Sequence, residues 1–208
     1  MAEYLSEEEQ LAALRSFWQR YGWWIIVALV LVIGGYLGWS YYQSSKLERA
    51  QAASELYEDY QKNLADEALS NGLAQRLDNE FAGTSYQVFS LLSRATAKVE
   101  SDELEAAAQL LTQATQSGAN QQLVDVALLR LARLRQQMGD SDAALAALGA
   151  TRGDGYRSLV AELKGDIHLV RDERALALEA YTAAMDAVDE GSSRPLLKIK
   201  LAQLQDPN

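Results

Sequence analysis

Cysteine is absent from all 208 residues. That excludes disulfides, thiolate zinc sites and a cysteine nucleophile. Histidine occurs once, at His168. One imidazole without a thiol cannot assemble the common zinc sites. Proline occurs only as Pro195 and Pro207. So few helix breakers, with Ala, Leu, Gln and Glu abundant, mark an all-α chain. Basic charge is scarce, 19 Lys and Arg against 29 Asp and Glu, for a net charge of −10. A chain with no basic stripe is a poor match for nucleic acid. Phosphate-cradling G-x-x-x-x-G-K-[ST], dinucleotide-binding G-x-G-x-x-G and nucleophile-elbow G-x-S-x-G patterns are missing too. Acid pairs such as Asp186 and Asp189 have the spacing of solvated helix faces. No catalytic residue, metal ligand or cofactor is therefore expected, and the chain does not read as an enzyme.

Charge is missing altogether from one stretch. Tyr21 to Tyr42 reads YGWWIIVALVLVIGGYLGWSYY, 22 residues without a charged side chain. As an α-helix it would be about 33 Å long, against a bilayer core of roughly 30 Å. A buried helix of a soluble domain seldom needs apolar surface on every face. Trp23 and Trp24 at one end, and Trp39, Tyr41 and Tyr42 at the other, form the aromatic belts of a spanning helix. A cleaved signal would have a shorter apolar core and a small-residue cleavage site. Neither is present, so 21–42 reads as a retained transmembrane anchor in a lipid bilayer. Within it Gly34 and Gly38 form G-x-x-x-G, a spacing that lets two membrane helices approach closely.

Residues 1–20 read as a short amphipathic tail. Ser6 and Glu9 have capping-box spacing. Leu11, Leu14, Phe17 and Tyr21 follow at helical intervals. The tail is either an interfacial lead-in to the anchor or a docking helix for a cytosolic partner. Four glutamates against two arginines give it −2, leaving −8 for the remainder. Arg15 and Arg20 lie on one side of the anchor, Lys46 and Arg49 on the other, with Lys62 at the margin. Under the positive-inside rule that count leaves the orientation undecided.

Residues 43–208 read as one helical-repeat domain, large enough to bury a core. A stalk helix carries Leu47, Ala50, Ser54, Tyr57, Gln61 and Leu64 at steps of three and four. Asn71-Gly72 reads as a stop, and Leu73 to Phe81 as a shorter helix. Then a repeat emerges. Ala95, Ala132 and Gly165 are spaced 37 and 33 apart, and so are Ala107, Ala144 and Ala177. The period is close to the 34 residues of tetratricopeptide repeats. Small residues at these positions let the two helices of a hairpin close up, while Leu148 and Tyr181 fill space towards the next hairpin. Gly139 can take a left-handed helix end, and Asp140 can cap the following helix. Asp102 and Asp172 stand where the other turns would carry glycine. Hairpins are expected near 88–121, 125–157 and 158–191, broken by Gly153-Asp154-Gly155, with a capping helix over 195–205 opening at Ser193-Arg194-Pro195. His168 falls in a column normally filled by a core aromatic, so it reads as a packed side chain. The fold class is all-α: an N-terminal transmembrane helix, then a tetratricopeptide-repeat-like α-solenoid.

A solenoid offers the face lined by the first helix of each hairpin. In this register that face carries Phe89, Leu92, Thr96, Val126, Leu129, Arg133, Leu159, Glu162 and Asp166. It is mostly apolar at one end and lacks a Lys and Asn cluster for clamping a peptide carboxylate. An apolar helix or an unfolded or emerging polypeptide would suit it better than a charged chain end. The alternative is that the stalk helix fills part of it.

The order of these features resembles one family, the YfgM-type ancillary subunits of the SecYEG translocon in Gram-negative bacteria. The likeness runs over nearly the whole chain. It includes the acidic tail and an anchor ending Leu37-Gly38-Trp39-Ser40-Tyr41-Tyr42. It continues through Leu129-Arg130-Leu131-Ala132-Arg133, Gly153-Asp154-Gly155-Tyr156 and Leu163-Lys164-Gly165-Asp166. The resemblance implies an inner-membrane protein with a cytoplasmic tail and a periplasmic repeat domain. It implies association with SecYEG and with a PpiD-like, membrane-anchored periplasmic chaperone, and a role in passing secreted proteins to periplasmic chaperones. A scaffold for envelope assembly or cell division, without client binding, is the other reading.

Overall fold

A computed structural model describes residues 7–188 and 194–205. The expected cap at Ser6, and Asp189 and Ser193, lie outside the described residues. Within them the chain forms nine α-helices and one 3-10 turn, with no strand. It divides into two compact units, Met1–Arg49 and Ala50–Asn208.

Helix α1 runs Glu7–Lys62, and its residues up to Arg49 make up the described part of the first unit. Among the described residues it alone is long and apolar enough to cross a membrane. Trp23, Trp24, Leu31, Val32, Tyr36 and Trp39 are 63–71 % exposed. Leaving such a side chain in water forfeits about 1.5–3 kcal/mol relative to burial. A bilayer supplies the missing cover for the whole run. At its end the Lys46 ammonium lies 4.4 Å from the Tyr42 ring centroid, an apolar stem carrying a charged head past the aromatic belt.

From Ala50 onward the helices pack in pairs. Leu56 and Tyr60 of α1 are buried with Ala74 and Leu77 of α2 (Glu67–Glu80). Here the structure corrects the sequence reading, because Asn71-Gly72 lies inside α2 and stops nothing. Both residues are exposed. The helix cost of one glycine, about 1 kcal/mol, is outweighed by burial of Ala74 and Leu77. The break falls instead over 63–66, where the Asp66 side chain accepts from the Leu69 N–H and caps α2.

Three hairpins follow: α3 (Ser85–Glu100) with α4 (Leu104–Thr115), α5 (Gln121–Gln137) with α6 (Ser141–Gly149), and α7 (Arg157–Val170) with α8 (Arg174–Asp186). Each turn closes the same way. Asp102, Gly139 and Asp172 take left-handed φ values of 60°, 82° and 59°. The next N–H then reaches back five residues, from Glu103 to Lys98 O at 2.8 Å, from Asp140 to Arg135 O at 2.9 Å and from Glu173 to His168 O at 2.9 Å. This Schellman closure satisfies carbonyls the helix end would leave orphaned. Asp140 also caps α6, accepting from the Ala143 N–H. The two small-residue columns sit at the crossings, with Ala95, Ala107, Ala132, Ala144 and Ala177 at most 2 % exposed. Gly165 is the tightest crossing, since a Cβ there would overlap the Tyr181 ring.

One carboxylate ties the second hairpin to the third. Asp125 is fully buried. It accepts from the Arg152 N–H at 3.1 Å, the Gly153 N–H at 2.8 Å and the Gln121 amide at 2.9 Å. Gly153 is required because a Cβ would run into that carboxylate. Helix α9 (Pro195–Gln205) closes the stack, burying Leu197 with Ala177, Tyr181 and Ala184.

These turns give substitutions of opposite sign. Asp172→Gly removes a left-handed Cβ penalty of about 1–2 kcal/mol and adds roughly 0.5–1 kcal/mol of unfolded-state entropy. The urea midpoint should therefore rise slightly, whereas Gly139→Ala should lower it by about 1 kcal/mol equivalent. Shifts of the same sign would contradict the common turn geometry. Asp125→Asn turns one acceptor towards its amides as a donor and should cost about 1–3 kcal/mol in the same titration.

Candidate partner-binding groove

The first helices α3 and α5 bound an open groove of about 350 Å³. Leu92, Ala95, Thr96 and Val99 come from α3, Leu111 from α4, and Arg130, Arg133, Leu134 and Gln137 from α5. The floor is apolar: Leu92, Ala95, Leu111 and Leu134 are all buried. Thr96, Arg130, Arg133 and Gln137 are exposed around it. Helical geometry produces this grouping, because residues three and four apart share a face.

Of the nine residues expected to line one continuous face, Leu92, Thr96 and Arg133 meet here. Phe89 joins Tyr57 and Tyr86, with centroids 6.0 and 5.9 Å away. Tyr57 belongs to α1, so the stalk does cover that end. Val126 packs against the core of the first hairpin and Leu159 against the core of the second. Leu129 is 4 % exposed in that second core. A charge placed there tests folding rather than binding. Val99, Arg130 and Gln137 were not anticipated. Arg130 lies one turn before Arg133, and that spacing was the available signal.

Glu162 and Asp166 sit in an ion network. Lys200 of α9 donates to Glu162 at 3.0 Å and to Asp166 at 2.7 and 2.9 Å. Arg194 also pairs with Glu162, and the Tyr181 hydroxyl donates to Asp166 at 2.6 Å. Burial pushes the Tyr181 phenol upward, and its bond to Asp166 adds to that. Burial pulls Lys200 down, but hydrogen bonds to Asp166 and Glu162 outweigh it and hold the ammonium above the usual lysine value. This end of the face is thus occupied by the chain's own cations.

A larger cleft of about 650 Å³ lies along α7 and α8 beside residues 151–157. It holds His168, whose Nδ1 lies 2.6 Å from Glu173. The imidazole is packed and paired, as its column suggested. That bond, then the Arg171 charge, holds the Glu173 carboxyl below its ordinary value. The cleft's charges are of both signs, with Arg157 beside Asp154, so it presents no consistent recognition chemistry.

A family model for a tetratricopeptide repeat-like domain matches residues 15–206. The chain belongs to this family. It is 31% identical over 208 residues to an ancillary SecYEG translocon subunit of Aggregatibacter actinomycetemcomitans, covering 98% of this chain and 100% of that one. It is 29% identical over 205 residues to the ancillary SecYEG translocon subunit of Haemophilus influenzae, covering 98% and 100%. The subunit of the same name in Escherichia coli K12 is 29% identical over 209 residues, covering 98% and 99%. No solved structure matches the chain. Stacked helical repeats form concave surfaces, and the α3–α5 groove is a concavity of that kind.

The α7–α9 network has a defined pH signature. A lysine whose folded pKa is raised stabilises the fold below its unfolded value, and that help is lost as pH rises through the raised one. Lys200→Gln should therefore cost about 1–3 kcal/mol, constant from pH 6 to 9 and shrinking only in alkali. Urea titrations across that range read it directly. A deficit that vanished at pH 8 would refute the assignment.

Proposed function

We propose that this chain is an ancillary subunit of the SecYEG translocon, working as a membrane-tethered adaptor rather than a catalyst. In this reading α1 crosses the inner membrane once, the N-terminal tail is cytoplasmic and the repeat unit is periplasmic. The repeat unit links the translocon to periplasmic chaperones, including a membrane-anchored, PpiD-like partner, and assists the trafficking of secreted proteins. The observation that carries the proposal is one chain holding both a bilayer-length apolar helix and an open apolar groove between repeat hairpins. Tethering raises the effective concentration of groove and emerging polypeptide, so weak binding suffices. Gly34 and Gly38 serve helix pairing, because small residues four apart let a second membrane helix approach closely.

The native chain has no cysteine, so a single introduced thiol is an unambiguous label. Gln116→Cys should react with an impermeant maleimide once the outer membrane is opened, and Gln19→Cys only after the inner membrane is dissolved. The reverse pattern would overturn the orientation. A photocrosslinker at Thr96 in intact cells should yield adducts with translocon subunits, the chaperone or nascent chains. Adducts with division machinery alone would favour the scaffold reading.

A further inference from the structure

Leu129-Arg130-Leu131-Ala132-Arg133 splits its side chains between two environments. Leu129 and Ala132 are buried in the second hairpin's core, and Leu131 is packed against it. Arg130 and Arg133 project on the other side of α5, over the groove. Most arginines of the repeat unit have a carboxylate at hand: Arg76 with Glu80, Arg94 with Asp78, Arg135 with Glu105, Arg171 with Asp142 and Arg194 with Glu162. Among the described residues, the side chains of Arg130 and Arg133 meet no hydrogen-bond or ion-pair partner. They are two free guanidinium groups one helical turn apart, above an apolar floor, on a chain of net charge −10. The α7 end of the same unit has the opposite pattern, with its acids Glu162 and Asp166 answered internally by Arg194 and Lys200.

We infer that the α3–α5 groove selects an acidic amphipathic segment of a partner polypeptide. An apolar side chain of that segment enters over Leu92 and Leu111. A carboxylate one turn away pairs with Arg130 or Arg133, whose planar forks suit two-point hydrogen bonding to a carboxylate. A basic segment is rejected, because the same two cations would repel it. This inference rests on the proposed function in taking the groove as the adaptor's binding face, and it adds the partner's charge.

The test uses the full chain in uncharged detergent micelles. Three fluorescent helical peptides share the same leucines and carry Glu, Gln or Lys one turn from them. The Glu peptide should bind about fivefold more tightly than the Gln peptide, the contribution of one exposed ion pair, and the Lys peptide most weakly. The Glu advantage should shrink with added salt. It should vanish in the R130Q/R133Q double variant, with the urea midpoint unchanged. Equal binding of Glu and Gln peptides overturns the charge selection and leaves the groove standing. Failure of every peptide to crosslink to a photoreactive residue at Thr96 removes the groove and this inference together. A Glu preference that survives in the double variant puts the reading of charge elsewhere and overturns the assignment. Concentration-dependent self-association that the double variant abolishes would name a second copy of this chain as the occupant, and overturns it too.

Discussion

The ring of Tyr181 lies across Gly165 where any larger residue would collide with it. That close approach is the extreme case of a constraint governing the whole repeat unit. Two helices can cross tightly only where one offers almost no side chain. Ala95, Ala107, Ala132, Ala144 and Ala177 meet the same requirement less severely. Tight crossings free the larger residues, Leu91, Leu148 and Ile167, to fill space elsewhere in the stack, where all three are essentially inaccessible. The shared Schellman turns then fix where each second helix begins. Crossing, turn and inter-hairpin packing thus follow from a few small residues at a regular spacing.

The face of the first helices is a by-product of that regularity, and its open part is limited by chemistry at its ends. Aromatic packing of Tyr57, Tyr86 and Phe89 closes one side. Charge pairing of α9 with α7 closes the other. What remains open is short, apolar in its floor and cationic at its rim. An otherwise acidic unit therefore presents a place where negative charge is welcome.

Much of this was legible beforehand because it depends on local spacing. The repeat columns, the Gly139-Asp140 turn and the anchor are all properties of neighbouring residues. What was not legible depends on distant partners. Glu162 and Asp166 looked like groove residues, but Arg194 and Lys200, more than 30 positions later, reach both. Leu129 and Leu92 share the same register and both are buried in hairpin cores, yet only Leu92 also floors the groove. Asn71-Gly72 misled for a third reason. Local propensity favoured a stop, and burial of Ala74 and Leu77 overrode it. Arg130 is a related case, since the lack of a partner is a property of the whole unit.

The joint at Asp125 has a bearing on how such a chain tolerates change. Two of the three donors on that carboxylate are main-chain amides, and Gly153 lies 28 positions away along the chain. Backbone donors persist whatever side chain is attached. Sequence drift through the connecting segment can therefore proceed almost freely, provided one acid and one glycine survive. Hairpins could be exchanged or lengthened around such a joint without renegotiating their alignment.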